Sequence, residues 1–301
     1  MHTALHSISY SGSWGQVALP LEEIIPHVAR LGYTGLMLAG KRPHGSPLDL
    51  DAAARSRLRG LLADHNVRLS CLAGYTNFLA DSEHAEIPQR EMQILSVREL
   101  AHLAADLGGS IVRIFTAYEH PAVPYSRAWD LTVAAVKECS RQAADHGVTI
   151  ALQNHHDLAG HWRTFQQFLA AVDEPNCRAA FDAWAPALHG DDLAEAARAL
   201  APQTVFTTVA NYVRLPRVRY QPDLVNYTRD TDAVQAVPVA EGFIDFALFL
   251  QTLWSAGYTG PVAYEMCSPL RDGRDRATLD RYATSFLDFL RTIEQTPANP
   301  Q

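Results

Sequence analysis

Eight apolar runs of six or seven residues alternate along this chain with longer amphipathic stretches, and no low-complexity linker interrupts them. The runs, at 4–9, 34–39, 67–73, 110–116, 148–153, 177–182, 204–210 and 260–266, read as buried strands. Helical periodicity falls at 20–32, 48–65, 88–107, 126–146, 162–173, 191–200, 243–256 and 276–294. Gly32, Gly108, Gly147 and Gly257 stand where a helix should hand over to a strand. Parallel strands joined by right-handed crossovers must close or leave edges, so eight such units predict one α/β domain over 1–301, a (β/α)8 TIM barrel. A doubly wound open sheet is the alternative, but no glycine-rich phosphate loop follows the first strand.

Composition narrows the partners. A formal net charge of −8 opposes nucleic acid and anionic membrane surfaces, which need a concentrated positive field. No segment reaches the roughly 18 apolar residues of a membrane span, and the start, Met1-His2-Thr3-Ala4, carries no basic region. Four cysteines (Cys71, Cys139, Cys177, Cys267) lie far apart without a CxxC pair, which predicts buried free thiols in a reducing cytoplasm. The expected ligand is a small molecule. The longest segment without a strand or helix pattern, 213–241, holds Arg214, Arg217 and Arg219. Such a loop reads as a lid, a phosphate reader or an arm toward a second copy in a homo-oligomer.

In a barrel of this kind the C-terminal strand ends share one mouth, so polar groups there are candidates for chemistry. Asp182 and Glu265 each place a carboxylate where an apolar run stops. On strand five, Gln153-Asn154-His155-His156-Asp157 follows an apolar stretch, and alternation puts Gln153 and His155 toward one volume. Lys41, one of two lysines, and His44 follow strand two and could polarise a carbonyl or move a proton. Tyr75, Arg113, Glu119, Asn154 and Asn211 sit at other strand exits as candidate substrate contacts, with Trp14 and Trp184 as candidate apolar walls.

Three phrases carry a family resemblance: Ile150-Ala151-Leu152-Gln153-Asn154-His155, Phe181-Asp182-Ala183-Trp184, and the run from Gly257 to Glu265. The chain resembles the xylose-isomerase-like TIM barrels, the sugar phosphate isomerase/epimerase superfamily. That resemblance implies Glu, Asp, His and Glu on strands five to eight around one divalent ion beside a sugar or polyol. Here the four positions read Gln153, Asp182, Thr208 and Glu265. Gln153, Asp182 and Glu265 then form an all-oxygen set that favours Mn2+ or Mg2+ over Zn2+. A metal-free site, with the carboxylates on substrate hydroxyls, is the alternative.

The implied chemistry removes a proton next to a carbonyl, with Glu265 as base and His155, Lys41 or His44 as acid. Gln153 cannot accept a proton, which argues against a symmetric two-glutamate epimerase. The expected activity is isomerisation or epimerisation of a sugar or keto-polyol. The alternatives are β-elimination by a lyase and a non-catalytic sugar-binding subunit. A DNA-repair endonuclease of this fold would need a histidine-rich zinc cluster and a basic face, which the charge excludes.

Overall fold

A computed structural model describes residues 2–84 and 86–295. Eight parallel strands close into a barrel in the order β1-β10-β7-β6-β5-β4-β3-β2. They are β1 (Thr3–His6), β2 (Gly35–Ala39), β3 (Arg68–Ala73), β4 (Ile111–Ile114), β5 (Thr149–Gln153), β6 (Cys177–Ala180), β7 (Thr204–Val209) and β10 (Val262–Tyr264). Around them run α1 (Leu21–Arg30), α2 (Ala52–Asp64), α3 (Gln89–Asp106), α4 (Tyr125–Ala144), α5 (Trp162–Val172), α6 (Trp184–His189), α7 (Leu193–Leu200), α8 (Phe246–Ser255) and α9 (Arg276–Gln295). The expected (β/α)8 barrel is the fold observed. Among the described residues no helix is long and apolar enough to cross a membrane.

Local chemistry sets the element ends. Asp51, Asp192 and Asp245 cap α2, α7 and α8 by accepting backbone N–H bonds that the first helical turn cannot satisfy. Gly108 and Gly257 take φ of +80° and +94° after α3 and α8, a left-handed turn open to glycine at no steric cost.

Strand alternation splits the apolar residues into two cores. Outward-facing residues pack under the helices, where Phe181 meets Phe165 and Phe249. Inward-facing residues form a small second cluster of Ala4, Met37, Cys71, Ala73, Ala151, Ala180, Phe206 and Ala263. The many alanines leave width in the barrel. Arg113 on β4 is flanked in register by Ala73 and Ala151, so its long side chain rises between two methyl groups.

The segment expected to be irregular at 213–241 is largely a two-stranded antiparallel ribbon, β8 (Asn211–Gln221) and β9 (Asn226–Val237). Its register shifts between Leu215 and Arg217, where Pro216 has no N–H for the ladder. Its apolar side chains do not gather on one buried face, since Leu215, Val218, Tyr220 and Tyr227 are exposed, so the period-two apolar signal of a half-buried strand is missing. Arg217 and Arg219 reach Asp230 at 3.5 and 3.2 Å, and Arg214 covers the Phe243 ring at 4.4 Å. These arginines are engaged within the chain.

Candidate functional site

The mouth is built by stepping two residues along strands whose lower positions are apolar. Asp182 lies two residues past the end of β6, fully enclosed, and three donors hold it. Gln153 Nε2 donates to Asp182 Oδ2 in a short contact, Thr208 Oγ1 donates to the same oxygen at 3.4 Å, and the Trp184 N–H donates to Oδ1 at 3.0 Å. Thr208 stands where the resemblance implies a histidine, and it also accepts from Gln153 at 3.3 Å. Burial raises the Asp182 carboxyl to about 6 against the pull of these hydrogen bonds and of Arg113.

Glu265 follows β10 directly. Its N–H is pinned to the Val209 carbonyl at 3.0 Å, and the next N–H, of Met266, donates to Ser9 Oγ at 2.9 Å. The Cys267 thiol donates to Oε1 at 3.5 Å and itself contacts the Tyr212 hydroxyl at 3.1 Å. On the other side His6 Nε2 lies 3.9 Å from Oε2. Burial raises the Glu265 carboxyl to about 7, with Arg113 pulling it down and Asp182 pushing it up. A carboxyl that titrates at working pH accepts and returns protons with little driving force either way.

His6 was not among the sequence candidates, and the fold brings it to the centre. Its Nδ1 lies 3.0 Å from the Met37 carbonyl and 3.4 Å from the Ile8 N–H, and Nε2 faces the Tyr75 hydroxyl at 3.3 Å. Burial and then Arg113 hold its pKa well below the ordinary value, so the ring is neutral. The signal was present in the sequence: His6 sits two residues after Ala4 in the first strand. Tyr75, pushed up to about 12 chiefly by burial, lies under the Lys41 ammonium at 4.0 Å and the Arg113 guanidinium at 5.0 Å.

Other candidates prove to be placed elsewhere. Past Gln153 the chain leaves the ladder and His156 adopts φ of +67°, so alternation no longer decides where His155 points. His155 packs against Phe115 and Trp184, and its Nδ1 accepts from the His156 N–H at 2.8 Å. Burial, with the neighbouring His156, holds its pKa at about 3, so it cannot serve as a cationic acid near neutrality. His44 is buried and bonded through Nε2 to the Leu19 carbonyl at 3.1 Å, a contact that holds its loop. Asn211 is saturated by backbone: Nδ2 donates to Val239 and Ile244 carbonyls at 2.7 and 2.9 Å, while Oδ1 accepts from Tyr212 and Ile244 N–H groups. It therefore ties down the ribbon and has no group left for substrate.

Asn154 bridges both ways to the backbone of Asp182 and fixes the β5 and β6 exits together. Glu119 is exposed in the loop after β4, where its N–H donates to Asp157 at 3.2 Å. Trp14 is half-buried; its backbone N–H donates to Gln16 Oε1, and Gln16 Nε2 donates to the Met266 carbonyl. Trp184 packs on Tyr212 at a 31° tilt and lines a cavity of about 390 Å3 with His155, Tyr118 and Asp182. A second cavity of about 320 Å3 opens between Tyr75 and Tyr118, and the Tyr118–His156 stack at 3.9 Å separates the two.

The donor set bears on the expected metal. Gln153 turns its NH2 group, not its carbonyl, toward Asp182, and among the described residues no three His, Cys, Asp or Glu side chains are grouped to hold a metal ion. The residues present fall short of the four-ligand set that the resemblance implies.

A closed parallel barrel whose acid–base groups gather at the strand ends defines a TIM barrel of the enzyme type. The chain belongs to the xylose isomerase-like TIM barrel family, whose model matches residues 25–291. No curated protein matches the sequence. Among solved structures, the IOLI protein with a bound zinc atom superposes with a TM-score of 0.75 at 15% identity, covering 98% of this chain and 100% of its own. D-psicose 3-epimerase from Clostridium cellulolyticum H10, solved with D-tagatose, gives 0.74 at 18% identity, with 98% and 100% covered. The probable 3-DHS dehydratase AsbF of Bacillus anthracis gives 0.71 at 17% identity, with 95% and 99% covered. At these identities the likeness is one of fold.

Proposed function

We propose that the chain is an isomerase or epimerase of a small sugar or keto-polyol, with Glu265 removing a proton from the carbon next to a carbonyl. One observation carries this reading: a buried carboxyl raised to about 7 stands at the barrel mouth, 3.9 Å from a neutral imidazole. As Glu265 takes the proton, the C–H electron pair becomes a C=C bond and the carbonyl π pair moves to oxygen, giving an enediolate. Glu265 then returns the proton to the adjacent carbon on the same face, which completes an isomerisation; epimerisation would need a second group to protonate the first carbon from the opposite face. His6 Nε2 and the Tyr75 hydroxyl relay the hydroxyl proton between the two oxygens, and Asp182 accepts a substrate hydroxyl.

A divalent ion such as Mn2+ or Mg2+ would find Asp182, Glu265 and the Gln153 carbonyl only once the Gln153 amide turned over. The zinc in the IOLI neighbour supports that second reading of the site. The single proton-accepting glutamate also suits β-elimination, in which the same base acts and water leaves. Four free cysteines, three of them buried, support a cytoplasmic location.

The test is a panel of ketoses and keto-cyclitols incubated in D2O and followed by NMR. Solvent deuterium should enter at the carbon beside the carbonyl, and loss of water in place of exchange would identify a lyase. Absence of exchange across the panel, with saturable sugar binding, would leave a binding subunit.

A further inference from the structure

Arg113 lies fully inside the barrel, 2% exposed, yet forms no ion pair among the described residues. Its Nη1 donates to the Gly74 carbonyl at 3.0 Å, while Nε is buried with no hydrogen-bond partner. A guanidinium has five N–H donors, and leaving them unmet away from water is costly. The Phe115 and Tyr75 rings, 4.1 and 5.0 Å away, compensate part of the charge. Their faces give Nε no oxygen to bond, so among the described residues that donor is unmet.

The ring of strands tells where a ligand oxygen would sit. β4 and β10 are separated by three strands on either side, so Arg113 and Glu265 face each other across the axis. They do not meet within 4 Å, and the two residues in register with Arg113, Ala73 and Ala151, carry only methyl groups. A carbonyl compound laid across this gap has a base at its C–H and a planar cation at its oxygen.

Resting on the proposed proton transfer at Glu265, we propose that Arg113 takes the task that the family resemblance gives to a divalent ion. Its guanidinium binds the carbonyl oxygen and the enediolate that forms from it, so the site selects compounds with adjacent carbonyl and hydroxyl groups and works without metal. A further observation agrees. The incomplete metal-donor set lies beside a fixed cation that would repel a second one.

The test uses glycolohydroxamate, a planar mimic of an enediolate, titrated calorimetrically into EDTA-treated protein. Native protein should bind it with no metal added. Arg113→Met should weaken binding on the order of 10- to 100-fold, the worth of charge-assisted hydrogen bonds, with a thermal midpoint at or above the native one because a buried charge becomes apolar at similar length. Arg113→Lys keeps the cation but loses the fork, and should weaken binding by roughly tenfold. Binding that needs restored metal, or that Arg113→Met leaves unchanged, overturns the assignment; if the Met variant does not fold, unchanged binding by Arg113→Lys does so. Native deuterium exchange that survives Arg113→Met removes only this inference. No hydroxamate binding and no exchange by native protein remove the proton-transfer reading itself.

Discussion

Two layers of the same barrel differ by a single step of two residues. Ala4 gives way to His6, Ile111 to Arg113, Ala151 to Gln153, Ala180 to Asp182, Phe206 to Thr208 and Ala263 to Glu265. The lower layer is apolar and closed, and its role is to fill the barrel. The upper layer holds two carboxyls raised to about 6 and 7, a neutral imidazole and an unpaired guanidinium. Each pair shares one strand or its immediate exit. The difference teaches that fold and chemistry are divided along each strand by its pleat, so each can be altered with the other retained.

The largest effect should come from the lower layer. Phe206 is wholly buried there, and Phe206→Ala should cost about 3–5 kcal/mol in denaturant unfolding. Deuterium exchange per folded molecule should persist, and its disappearance would break the division between layers. Glu265→Gln should do the reverse, lowering exchange on the order of 10^2-fold or more.

That variant also carries a sign in pH. Because the folded-state pKa of Glu265 is raised from 4.5 to about 7, the folded protein keeps a proton that the unfolded chain releases, and native stability falls as pH rises through this window. Glu265→Gln has no such loss, so its stability relative to native should grow above pH 4.5 and level off above pH 7. Native exchange should rise through pH 7 as the base is freed. A stability difference independent of pH would mean that the Glu265 carboxyl is not held protonated by burial.

The smallest effect belongs to Cys267. Its thiol stabilises the carboxylate by donating to it, so Cys267→Ala should move the exchange midpoint upward by less than about one pH unit, with little change in the plateau rate.

Much of the fold was legible because it rests on local patterns. The eight apolar runs became the eight barrel strands, and the structural strands are shorter mainly at the mouth: 177–182 contracts to Cys177–Ala180 and 260–266 to Val262–Tyr264. There Asp182 and Glu265 leave the ladder to face the axis. Asp182, Glu265 and Gln153 were legible as candidates because a polar side chain ending an apolar run is rare enough to notice, and Arg113 because it is a lone charge inside the run 110–116. His6 was missed because its run continued through Ile8, and His155 was misdirected because alternation ceases where backbone pairing ceases. Asn211 read as a ligand contact, yet its amide is spent on four backbone groups, three of them 28 or 33 positions away in sequence. The ribbon of β8 and β9 escaped notice since its strands are held by pairing with each other and not by an apolar face.

The sequence by itself determined the barrel, its family and the identity of the groups at the strand ends, since periodicity and residue type are local properties. Tertiary structure alone decided which of those groups meet. Burial raised Glu265 toward neutrality, closure of the ring set Arg113 opposite it, and His6 joined them from the first strand. The physical reason is that desolvation and Coulomb interaction depend on distance in space, and barrel closure brings β1 beside β10, so that His6 meets Glu265 from 259 positions away.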